Sequence, residues 1–123
     1  MRTPLALALA AVLVGCGSSS RIAPEAARAE LNAARTALSQ AEQADAATHA
    51  PIALRTARQK VEAATAALAT GDTERVDRLA EQAAVDARLA ESRARAVVAE
   101  LAVREVQEAI QALREEIERN RAR

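Results

Sequence analysis

The sequence predicts an all-α chain: an antiparallel helical bundle of three helices, the third long and projecting as a coiled-coil-like segment. Three observations carry this. From Pro24 onward the strong helix formers Ala, Arg, Glu, Leu and Gln dominate. Breakers interrupt that stretch at only two further places, Pro51 and Gly71. The uninterrupted segment after Gly71 is about as long as the two before it together, so it must outrun them.

Composition limits the strength of such a fold. Of 123 residues, 35 are alanine and none is aromatic, so half the chain is apolar but most of that is methyl-sized. Burying a methyl removes little area, and at about 25 cal/mol per Å² the resulting core is thin. A marginal fold, or one that gains stability from a partner, is expected.

The N-terminus comes first in chain order. Arg2 precedes an apolar run of ten residues, Leu5 to Val14. A membrane-spanning helix needs about 20 such residues, whereas a charged start and a brief apolar stretch describe a secretory signal peptide. The run ends in Leu13-Val14-Gly15-Cys16, which resembles the lipobox of bacterial lipoproteins. That resemblance implies removal of residues 1–15, a thioether from Cys16 to a diacylglyceryl group, and an acyl chain such as palmitate on the freed amine. Membrane lipid is thus an expected partner through acylated Cys16, since two or more chains anchor stably where one does not. Residues 16–23 are expected to form the lipidated cysteine and a flexible Gly/Ser tether. Gly17 stands where an Asp commonly retains lipoproteins at the inner membrane. The expected location is the periplasmic face of the outer membrane, with inner-membrane retention disfavoured.

Residues 24–98 are expected to form the alanine-rich bundle. Pro24 followed by Glu25 suits a helix start, and a helix over 24–48 follows. Pro51 opens a second, over 51–69. Gly71-Asp72-Thr73 reads as a helix-ending glycine followed by an N-cap, and opens a third over 73–120. Apolar residues recur three and four apart in each. They are Ala27, Leu31, Ala34, Leu38 and Ala41 in the first, and Leu54, Ala57, Val61, Ala64 and Leu68 in the second. The third carries Val76, Leu79, Ala83, Ala87, Ala90, Ala94 and Val97.

Residues 99–123 are expected to project as an amphipathic helix end. Val103, Ile110 and Ile117 fall at heptad a positions and Val106 and Leu113 at d, with Ala99 preceding them. β-branched a residues with Leu at d favour a parallel two-stranded coiled coil, in which Glu116 and Arg121 would pair across the chains. This candidate interaction seam suits a homodimer or another envelope protein.

Through its middle the chain also resembles the domain of unknown function 4398 family of bacterial envelope proteins. The residues that carry this are Ala50-Pro51, Leu54, Ala57, Ala64, Leu68 and Gly71-Asp72, continuing as Leu79-Ala80, Ala83, Asp86-Ala87 and Leu89-Ala90. The resemblance covers roughly residues 24 to 95. It implies a helical domain, often borne on an outer-membrane lipoprotein.

No constellation for chemistry is present, so no enzyme, cofactor or metal site is expected. His49 is the only histidine and Cys16 the only cysteine, too few for a zinc site. The 17 basic and 17 acidic residues interleave, leaving no basic footprint for nucleic acid and no ring on which a base could stack. Glu74-Arg78 and Glu91-Arg95 have the spacing of ordinary helix ion pairs, and Asp86 is placed to pair with an Arg across the bundle. The expected function is that of a lipid-anchored periplasmic structural or adaptor protein acting through helix–helix contact. The alternative is a periplasmic holdase or assembly factor for outer-membrane proteins.

Overall fold

The computed structural model describes residues 23–123. The signal segment, Leu13, Val14, Gly15, Cys16 and all but the last residue of the tether lie outside the described residues. The rest is helical: α1 (Pro24–Gln43), α2 (Ala46–His49), α3 (Pro51–Ala69) and α4 (Thr73–Arg121).

Local chemistry sets most of these limits. Pro24 and Pro51 each occupy the first helical turn, where a missing N–H removes no helical bond. At the end of α3, Gly71 takes a φ of +75°. Its N–H donates to the Leu68 carbonyl and that of Asp72 to the Ala67 carbonyl, each at 3.1 Å, which is a Schellman closure. Asp72 then caps α4, its Oδ1 accepting from the Arg75 N–H at 3.1 Å.

The first helix is shorter than expected. It stops at Gln43 rather than running to residue 48, because Asp45 adopts the left-handed conformation with φ 58°. Asp tolerates that region better than most residues, and its Oδ1 accepts the Thr48 hydroxyl at 2.8 Å. The chain then makes the single turn of α2. Its Ala46 is fully buried and, with Ala50, closes one end of the bundle over Ala90 and Ala94.

The three long helices run up, down and up. Ala27 and Leu31 pack with Ala64 and Ala67 and with Val76 and Ala80, while Ala41 packs with Leu54 and with Ala90. Thus α4 is parallel to α1, and the chain enters the bundle at the end where α4 begins. Sixteen of the twenty buried apolar residues are alanine, which lets helix axes come to the short end of the usual 8–10 Å range. This explains a difference from expectation. Ala37, Ala67 and Ala80 take the central contacts, and Leu38, Leu68 and Leu79 are displaced to the rim, half-buried against the core. Among the leucines of the described residues only Leu31 and Leu54 are fully buried.

Candidate interaction surface

At 49 residues α4 is about 74 Å long, against about 30 Å for α1 and 28 Å for α3. From Val98 to the chain end every residue is exposed. The expected seam residues all lie here: Val103 is 56% exposed, Val106 58%, Ile110 44%, Leu113 60% and Ile117 50%. They share one side of the helix by spacing alone, and among the described residues nothing covers them.

The same side continues beside the bundle, which the sequence reading missed. Stepping back from Val103 by fours and threes gives Ala99, Ala96, Ser92, Leu89 and Val85, all exposed. Val85 and Leu89 are apolar residues facing water on the outer side of the bundle. The core stripe of α4, Val76 through Ala94, lies about 150° around the helix from this row, on the 100°-per-residue spacing of an α-helix. The helix therefore carries two apolar faces, one spent on the bundle and one, from Val85 to Ile117, without a partner among the described residues. Polar residues end the second face on both sides, Gln82 before it and Asn120 after it.

Charged side chains border this face. Glu91 and Arg95 pair at 2.6 Å, while Glu100–Arg104 and Glu118–Arg121 approach only to 3.9 Å. Glu74 and Arg78, given the spacing of a pair, make no ion pair among the described residues. Arg121 was expected opposite Glu116 of another chain, and within this chain it leans toward Glu118.

The remaining polar candidates have structural surroundings. Asp86 pairs across the bundle not with an arginine but with Lys60, the only lysine of the sequence, Nζ lying 2.6 Å from Oδ2. The contact is an ion pair without hydrogen-bond alignment, and that oxygen is fully buried. Arg58 clamps Glu42 through Nε and Nη2 at 3.0 and 2.7 Å, tying α3 to the end of α1. His49 ends α2, with Nε2 at 3.6 Å from Asp45 Oδ2. None of α1 to α4 is long and apolar enough to cross a membrane.

Comparison with known proteins gives a family match. The family model described as Domain of unknown function (DUF4398) matches residues 29–106, from the first turns of α1 to the middle of the exposed seam. No curated protein and no solved structure matches the chain.

Proposed function

The chain belongs to the family described as Domain of unknown function (DUF4398), and from that membership and the two-faced α4 we propose a lipid-anchored structural or adaptor protein of the bacterial cell envelope. Cys16 carries the acyl chains at the outer membrane, and the outer face of α4 binds another helix. The observation that carries the proposal is the unpartnered apolar row from Val85 to Ile117, far longer than the scattered apolar residues of an ordinary surface.

Polarity of the bundle supports the anchored reading. The chain enters at Pro24, beside the start of α4, so the far end of α4 points away from the N-terminal end of the bundle. Anchoring also raises the local concentration of anything that meets the seam, so a modest interface suffices. A holdase would call for an apolar concavity able to enclose a client, whereas the apolar residues here form a straight row on one convex helix.

Fractionation tests the anchor and the seam together. The native chain is expected in the outer-membrane fraction with incorporated palmitate, and Cys16→Ser is expected in the soluble periplasm without it. Ile110→Glu is expected to stay on the membrane but to lose the complex that the native chain forms after mild detergent extraction. A native chain found soluble, or a complex indifferent to Ile110→Glu, would overturn the proposal.

A further inference from the structure

We infer that the occupant of the α4 seam is a second copy of this chain, running antiparallel, in the register that sets Val103 opposite the partner's Ala99. This rests on the reading of that face as an interface and names what covers it.

The first argument is size. The bundle half of the seam has small residues in succession, Ser92, Ala96 and Ala99, whereas the projecting half has only large ones. Parallel pairing sets small against small through three consecutive layers and large against large thereafter, and no single helix spacing fits both. Antiparallel pairing about a two-fold axis beside Leu101 sets Ser92 against the partner's Ile110, Ala96 against the partner's Val106 and Ala99 against the partner's Val103. Each layer then holds one small and one large residue, as close packing requires. Toward the ends Leu89 meets the partner's Leu113 and Val85 the partner's Ile117. The polar residues that bound the row, Gln82 and Asn120, fall in a common layer in the same register.

Charge is the second argument, read in the register that the size pattern sets. In that register the flanking positions set Arg88 by the partner's Glu116, twice in the dimer by symmetry, while Asp86 stays paired with Lys60 of its own chain and Arg123 lies beyond the end of α4. The one like-charge contact is Glu100 with its own symmetry mate. Parallel pairing instead sets Arg88 by the partner's Arg93, which cancels its one uncommitted favourable contact, Glu116 with the partner's Arg121, since Arg95 is already paired with Glu91 of its own chain. Partner choice and orientation in coiled coils follow such flanking charges. The β-branched a residues of the projecting half alone favour the parallel form, but they are only half of the seam.

The third argument is extent. From Val85 to Ile117 the row is about 48 Å long, and its a, d, e and g positions supply about twenty residues per chain, the scale of a stable interface. The pairing is also closed, since each projecting end lies along the partner's bundle and leaves no further seam free. It separates the two bundle entrances by about 84 Å, so a dimer of anchored chains lies along the membrane rather than standing on it.

A spin-label distance measurement separates the arrangements. The full chain carrying Cys16→Ser and Glu115→Cys bears one label, on the side of α4 away from the seam. The antiparallel register sets the two labels about 45 Å apart, and a parallel dimer sets them about 20 Å apart. A dimeric mass with the longer distance is the expected result. In label-free chains, Arg88→Glu or Glu116→Arg alone should weaken dimerisation several-fold, and the double exchange should restore it. A short distance, a monomeric mass at high protein concentration, or a double exchange as weak as the single ones would overturn the inference. A monomer whose membrane complex still depends on Ile110 would overturn it while leaving the adaptor reading standing.

Discussion

Lys60 and Asp86 join α3 to α4 through a 2.6 Å ion pair, and they are the only oppositely charged pair linking those two helices among the described residues. The carboxylate sits at the edge of a core made almost wholly of methyl groups, with one oxygen out of contact with water. Removing the ammonium leaves that oxygen unpaired, while removing both partners does not. Lys60→Ala is therefore expected to lower stability by about 1 kcal/mol, the low end for a pair that keeps some solvent access. The Lys60→Ala/Asp86→Ala double variant should lose less than the two single losses added, in urea denaturation followed by circular dichroism.

The α3–α4 turn gives a backbone prediction. A Cβ built on Gly71 meets nothing within 4 Å, so any cost of substitution comes from its φ of +75° and not from a clash. Gly71→Ala should cost about 1 kcal/mol and Gly71→Asn less, because Asn enters the left-handed region more readily. Equal losses for the two would show that this conformation is not what the glycine supplies.

The alanine contacts predict an asymmetry between the two faces of α4. Ala83 is fully buried between helices, whereas Ala99 is exposed on the outer row. Ala83→Leu should overpack the bundle and cost roughly 1–3 kcal/mol. Ala99→Leu should leave the thermal midpoint of a dilute, monomeric chain within about a degree, while weakening association by crowding the layer it shares with the partner's Val103.

Much of this architecture was legible because proline and glycine punctuate it. Pro24, Pro51 and Gly71-Asp72 place three helix starts where the structure has them, and α3 spans 51–69 as read. The break at Asp45 left no comparable mark. Ala-Asp-Ala-Ala is acceptable helix sequence, and only packing Ala46 beneath the bundle end makes the left-handed turn worth its cost. Periodicity puts Leu38, Leu68 and Leu79 on the core stripes, because it reports the facing side of a helix and not which residues of that side meet the centre of the contact. The partner of Asp86 was missed because arginine outnumbers lysine sixteen to one, although Lys60 alone has the position.

The seam was half legible. Its projecting part stands out through Val103, Ile110 and Leu113, but beside the bundle it is masked by a second, better-filled stripe on the same helix. Val85 and Leu89 complete it only once the core face is known and they are found on the other side.

Photo-crosslinking from Leu113 in living cells tests most directly whether this face is an interface, with the same probe at Glu108, on the far side of α4, as the reference. The expected result is a strong product from Leu113 at twice the 12.9 kDa chain mass, scaled for processing, and none from Glu108. If Leu113 gave no product, or both positions gave the same faint background, the outer face of α4 would be bare helix and the central claim would be wrong.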